Sequence, residues 1–211
     1  MTTSRVITIA VMIASFSMSA AASPTSIGVF FDTDATDCDT SVLPYWPFNV
    51  YVSAVLGTDV AGSGIRGATF SVDGLADIVR SITPNPAAFI AVGDPATPYG
   101  CDILFSVCMT GEGPRRVVPL YTIECFSTES ISPRTVSVQR TSRPCDACCR
   151  FAPCVMLCDA VLTLVSVRGS QALINNGSCT VGVQASTWTT VKSLFTANTV
   201  LQPPAPRSGK R

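Results

Sequence analysis

Between Phe48 and Leu56 every second residue is apolar, with Phe48, Val50, Val52, Ala54 and Leu56 falling on one side of an extended chain. A half-buried strand needs this period of two, because successive side chains leave opposite faces of the pleat. Further apolar, β-branched or aromatic runs stand at Ile27–Phe31, Ala68–Val72, Ala88–Val92, Ile103–Val107, Val117–Phe126, Thr135–Arg140 and Met156–Val167, with Gly, Pro, Asp or Ser clusters between them. Short strands at such spacing predict a mainly β chain folded as an antiparallel β-sandwich. In the last third, Val161–Val167 is expected to turn at Arg168-Gly169-Ser170 into Ala172–Ile174. Asn176-Gly177, a favoured type I′ pair, would then return the chain through Thr180–Val183 to complete a meander. Trp188, Val191, Leu194 and Phe195 recur at helical spacing, which predicts one short C-terminal helix over Ser186–Phe195.

The amino terminus has a different pattern. Arg5 is the only charge ahead of the apolar run Val6–Ala14, and small residues follow up to Ala20-Ala21-Ala22. This is the order of a secretory signal, with Ala20 and Ala22 placed for cleavage before Ser23. The apolar run is too short to cross about 30 Å of hydrocarbon, and no later stretch approaches the ~18 apolar residues of a spanning helix. No transmembrane segment is therefore expected once the signal is removed. The chain divides into a signal peptide over residues 1–22, a single sandwich domain over 23–196 and a disordered, Pro-rich basic tail over 197–211.

Cysteine content agrees with export. All ten cysteines, namely Cys38, Cys101, Cys108, Cys125, Cys145, Cys148, Cys149, Cys154, Cys158 and Cys179, follow the signal, and an even count in an oxidising compartment reads as a disulfide framework. Five of them crowd between Cys145 and Cys158. Cys145-Asp-Ala-Cys148 is formally a CxxC, but a thioredoxin-like centre needs it at the start of a helix after a parallel strand, and Pro144 and Pro153 do not supply that setting. A four-thiolate zinc or iron–sulfur site draws on the same residues without paired CxxC units. Structural bridges stapling a loop to the sheet are the expectation. Cys101 and Cys108, on one extended strand, would stand about 23 Å apart and so need other partners.

Charge and residue content exclude much chemistry. Histidine is absent, which removes the commonest general base, the commonest zinc ligand and every Ser-His-Asp or Cys-His arrangement. Only 13% of residues are charged, and the sandwich region carries more acids than bases, so a basic nucleic-acid-binding face is not indicated. Asp32, Asp34, Asp37 and Asp39 form a weak Ca²⁺ candidate; no other cofactor is expected. The segment departs from the EF-hand pattern, with Thr36 in the fifth place, Asp37 where glycine belongs and Leu43 where the last glutamate belongs. Gly62-Ser-Gly64-Ile-Arg-Gly67 matches GxGxxG but no helix pattern follows, so it reads as a loop entering a strand. Asn176-Gly177-Ser178 is formally a glycosylation sequon that coincides with a tight turn.

Several segments together carry a resemblance: Gly28–Asp32, Pro47–Tyr51, Thr83–Ala87, Leu157–Asp159, Cys179–Val183 and Thr187–Lys192. On these the chain resembles a group of uncharacterised exported bacterial proteins with a Cys-Thr-Val-Gly-Val ending followed by Thr-Trp-x-x-Val-Lys, a group that brings no site residue with it. More distantly, Phe48–Leu56 followed by Gly64–Val72 is similar to the opening of cohesin-like β-sandwiches, which share the immunoglobulin-like architecture and carry a protein–protein surface on one sheet. The resemblance implies a sandwich fold, which the cysteine count expects to be disulfide-stabilised. The favoured function is a non-catalytic binding or structural module, secreted, periplasmic or at the cell surface, whose partner is an extracellular protein or glycan. Exposed aromatics on one face, drawn from Tyr45, Trp46, Tyr51, Tyr99 or Tyr121, would favour a glycan. The rival is a secreted hydrolase using two carboxylates among Asp102, Glu112, Glu124, Glu129 and Asp159, with nothing in their spacing to select a pair.

The pattern Ala20-x-Ala22 sets an expectation for processing. Amino-terminal sequencing of exported protein should begin at Ser23 or within a residue or two of it; an intact Met1–Ala22 on exported material would overturn the signal assignment.

Overall fold

The computed structural model describes residues 24–60, 63–142, 149 and 151–177. The predicted signal peptide, the helix over Ser186–Phe195, the basic tail, the strand Thr180–Val183 and Cys145, Cys148 and Cys179 lie outside the described residues. Numbered along the chain, the strands are β1 (Ser26–Phe30), β2 (Asp39–Thr40), β3 (Phe48–Val55), β4 (Ile65–Asp73), β5 (Val79–Pro84), β6 (Ala88–Asp94), β7 (Gly100–Met109), β8 (Val117–Cys125), β9 (Arg134–Gln139), β10 (Cys154–Leu157), β11 (Leu164–Ser166), β12 (Arg168–Gly169) and β13 (Gln171–Ile174). A single 3₁₀ turn spans Thr58–Val60, and the described residues contain no α-helix.

Two sheets face each other. The first has the order β12-β1-β3-β8-β5. The second is built around β4, whose first half runs between β7 and β10, with β6 beyond β7 and β11 beyond β10. From Ser71 to Asp73 the strand pairs with β9 instead, and β9 leads on to β13 and β2. All pairings are antiparallel except β1 with β12 and β2 with β13. The mainly β sandwich predicted from periodicity is therefore the observed architecture.

Alternation explains the core. Val50, Val52 and Ala54 of β3 are fully buried, as are Ile27 and Val29 of the neighbouring β1 and Ile123 of β8. From the second sheet Phe70, Ile103, Val136 and Ile174 meet them with no exposed surface. Phe70 spans the gap between the sheets and meets Tyr121 of β8 edge-on, with ring centroids 5.9 Å apart and planes at 76°. An edge-to-face pair at this distance adds to the burial itself, because the positive ring edge meets the negative face of its partner.

Three expectations are corrected. β5 was not anticipated: Val79-Arg80-Ser81-Ile82-Thr83-Pro84 is an edge strand, where Pro and Arg are tolerated because one edge has no ladder to complete. Met156–Val167 is not one strand. Asp159 breaks it by accepting bonds from the backbone N–H (2.8 Å) and hydroxyl of Thr163, and Leu162 adopts φ 53° in the resulting turn. The meander of Val161–Val167 with Ala172–Ile174 does not form either: β12 joins the first sheet beside β1, while β13 pairs with β9.

The start of the domain is tied down by one polar cluster. Asp59 accepts the backbone N–H of Thr25 at 3.0 Å and its hydroxyl at 2.6 Å, while the Thr25 hydroxyl oxygen accepts the N–H of Gly57 at 2.9 Å. Burial alone raises the carboxyl pKa of Asp59, but the bonds from Thr25 and the Val60 N–H outweigh it and hold the group below its ordinary 3.8. A carboxyl lowered by folding binds its proton more tightly in the unfolded chain, so its stabilisation is present above about pH 4 and lost as pH falls through the folded value. Urea midpoints at pH 7 and pH 3 should therefore fall further apart for the unmodified domain than for Asp59→Asn. An equal pH dependence in the two proteins would refute this role for Asp59.

Candidate binding face

Because Ala68, Phe70 and Val72 point into the core, Gly67 and Thr69 face outward. The register then fixes two rows across the outer surface of the second sheet. Ile90, Leu104, Gly67, Met156 and Leu164 form one, and Val92, Asp102, Thr69, Cys154 and Ser166 the other. Apart from its glycine, the first row consists of large apolar residues from β6 to β11. A side chain at Gly67 would place Cβ 2.6 Å from Leu104 Cδ2, so the glycine lets Leu104 lie across the strand. In the second row Thr69 donates its hydroxyl to Asp102 at 2.8 Å.

The row ends on an unguarded edge. β6 pairs only with β7 among the described residues, and every residue from Phe89 to Asp94 is exposed. Phe89 sits at a register shift between Ala88 and Ile90, where the bulge turns its ring outward at 75% exposure. Ile90 and Val92 are exposed by 40% and 54%. Edge strands are ordinarily blunted by lysine, proline or an inward charge. Phe89 to Gly93 contain none of these.

The cysteines frame this face. Cys108–Cys158 joins the end of β7 to the turn after β10, and Cys149–Cys154 closes a short loop over β10, with Cα–Cα separations of 5.8 Å and 5.5 Å. Cys38 is also disulfide-bonded, and Cys101 is buried at the start of β7. The expected bridge at Cys125 is corrected: this residue is a free thiol in the core with no exposed surface. It faces inward from β8 among apolar side chains, where no other described sulfur meets it. Burial pushes its pKa up to about 12, which suppresses the thiolate that exchange chemistry needs. The bridge between Cys149 and Cys154 takes two sulfurs away from the zinc reading.

The acidic loop is committed to its own turn. Asp32 accepts the N–H groups of Thr36 and Asp37 at 2.8 Å and 2.9 Å, together with the Thr36 hydroxyl. Burial raises the Asp32 pKa, and these bonds lower it by more. The Asp37 carbonyl closes onto Phe31 N–H, and Asp39 lies in β2 opposite Leu173. Among the described residues no three acidic, cysteine or histidine side chains gather into a metal-holding group, so Asp32, Asp34, Asp37 and Asp39 are not brought together as a Ca²⁺ site.

The catalytic candidates are dispersed. Asp102 faces outward on the second sheet, whereas Glu124 faces outward on the first and is bonded to Arg80 and Ser81 at 3.1 Å each. The core lies between them. Glu112 sits at a bridge opposite Val117, Glu129 is in a loop, and Asp159 is occupied by Thr163, whose hydroxyl bond holds that carboxyl below its ordinary range. Of the aromatics, Tyr45, Trp46 and Tyr99 are each 70% exposed, Tyr51 is half-buried and Tyr121 is in the core. Of the glycine motif, Gly62 lies outside the described residues; Gly64 takes φ 71° where a Cβ would stand 2.6 Å from the Met109 carbonyl oxygen, and Gly67 lies under Leu104. Sequence reasoning found the strand Ala88–Val92 but did not single out Phe89, Ile90 and Val92 as surface. Its signal was consecutive apolar residues where neighbouring strands alternate.

Solved structures to which this chain is similar include cohesin modules. One is the cohesin module of a family 33 glycoside hydrolase from Clostridium perfringens, 12% identical, covering 73% of this chain and 97% of that one with a TM-score of 0.45. The seventh ScaB type I cohesin of Pseudobacteroides cellulosolvens is 8% identical over 74% and 94% of the two chains, TM-score 0.44. The cohesin–dockerin complex Coh-OlpA-Doc918 of Clostridium thermocellum matches with 11% identity over 72% and 98%, TM-score 0.41. The likeness is distant. No family model matches the chain, and no curated protein matches it.

Thiol mapping tests the cysteine arrangement. Cys125 should resist alkylation in the folded protein and react once it is denatured without reductant; recovery of Cys125 in a bridge would refute the assignment. Replacing Cys108 and Cys158 together by serine should cost about 2–5 kcal/mol in denaturant unfolding.

Proposed function

We propose that this chain is an exported, non-catalytic module, secreted or held at a cell surface, that binds a protein partner across the outer face of the second sheet and along the free edge of β6. Its membership of the exported group it resembles in sequence belongs to the same proposal. The observation that carries the reading is the exposed apolar strand β6, where Phe89, Ile90 and Val92 stand uncovered on a strand whose outer edge is unpaired. An unpaired edge offers main-chain donors and acceptors to an added strand, and the apolar row beside it supplies area to bury. The disulfides Cys108–Cys158 and Cys149–Cys154 fit an oxidising compartment. A hydrolase would need two facing carboxylates, and Asp102 and Glu124 lie on opposite outer faces.

The test is capture of partners by the immobilised mature domain from extracellular proteins of the source organism, repeated with Ile90→Asp and Val92→Asp. Leu43→Asp, at an exposed position in the loop before β3, serves as the control. The β6 variants should bind the captured partner at least about tenfold more weakly, the loss expected of a central contact, while the control binds normally. A partner bound equally by all variants would overturn the reading. So would turnover of glycans or esters that falls about 100-fold in Asp102→Asn or Glu124→Gln.

A further inference from the structure

A second site lies where β4 changes partners, away from the edge at β6. Beyond Phe70 the ladder with β7 ends, and the N–H of Val72 bonds to the carbonyl of Pro95 at 2.6 Å. On the other edge Ser71 pairs with Gln139, and the Ser71 hydroxyl donates to the carbonyl of Arg140 at 2.8 Å. The loop after β6 and the segment after β9 then meet: the N–H and hydroxyl of Ser142 both donate to the carbonyl of Pro98, at 2.9 Å and 2.8 Å. Between these closures is an open cavity of about 380 Å³. That is within the roughly 300–1,000 Å³ typical of small-molecule sites.

The chemistry of its wall is specific. Ala76, Ala96 and Pro98 give an apolar surface of small side chains, and Asp73, Gln139 and Arg140 stand around it as acceptor, mixed amide and donor. The single carboxylate and single guanidinium cancel, so the wall favours neither a strong anion nor a strong cation. Thr141, also in the lining, is 3% exposed, and its hydroxyl has no hydrogen-bond partner among the described residues. Such an orphan is costly unless something answers it. Small apolar walls with donors and acceptors and no net charge are complementary to a pyranose, whose C–H face is apolar and whose rim is hydroxyl groups. We infer that this cavity binds a neutral saccharide unit, as a glycan site separate from the protein-binding face.

The experiment is saturation-transfer-difference NMR and calorimetry on the mature domain with cellopentaose, xylopentaose and chitopentaose, each up to about 10 mM, which reaches the weak millimolar range. At least one should bind, with transfer strongest at ring C–H protons. Asp73→Ala and Gln139→Ala should each weaken it by about tenfold or more, roughly one charge-assisted or amide hydrogen bond. Thr141→Val, nearly isosteric, should raise the unfolding midpoint by removing the orphan and still weaken binding; unchanged binding would reduce that residue to structure alone and count against the site. Ile90→Asp should leave saccharide binding intact, so failure at β6 and failure here are distinguishable. Absence of binding by all three sugars, or binding unaffected by both Asp73→Ala and Gln139→Ala in folded protein, would overturn the assignment.

Discussion

The hydrogen-bond demand of one strand organises this molecule. β4 is bonded along both edges, and it satisfies that demand with two different neighbours in succession on one of them, β10 up to Thr69 and β9 from Ser71. Buried backbone groups left unpaired are costly, so the exchange has to be completed within a residue or two. Phe70 is placed at this exchange and is pinned from the other sheet by Tyr121. The consequences reach both sites described above: β10 and β11 continue the sheet outward as an apolar row, while the space lined by Ser71, Asp73 and Gln139 lies where β9 takes over and the ladder with β7 has ended.

What could be read in advance follows from how local each signal is. The alternation of β3 was plain because both its neighbours are strands of the same sheet and each side chain is either in the core or out of it. β5 escaped because an edge strand accepts Arg80 and Pro84, residues that argue against a strand when read alone. The segment Met156–Val167 looked continuous because its apolar content is continuous; only the bonding of Thr163 back to Asp159 ends the strand, and a side chain reaching its own backbone leaves no periodic trace. The cavity was illegible for a different reason. Its polar residues come from three separate stretches, around residues 71–76, 96–98 and 139–142, each of which reads as an ordinary strand end or loop. Four close aspartates after β1 attracted attention through spacing alone, but a carboxylate that accepts two backbone N–H groups is serving the turn.

Charge is spent sparingly throughout. The two ion pairs among the described residues, Arg80 with Glu124 and Arg134 with Asp77, are at the surface, where solvent leaves them little net worth. Cohesion comes instead from interdigitated aliphatic side chains, with bridges holding the end of β7 and the loop over β10. Neither apolar contact nor a disulfide depends strongly on salt or pH, so this division leaves the fold little affected by either.

Cys125 carries a consequence for the order of events in maturation. A chain that oxidises while its sheets are still apart presents this sulfur to every other cysteine, and each wrong pairing has to be undone by exchange. A chain whose β3, β8 and β5 assemble first withdraws it behind Ile123 and Phe48 before an oxidant arrives. The core thereby acts as a protecting group, and the yield of correctly bridged protein becomes a race between sheet closure and oxidation.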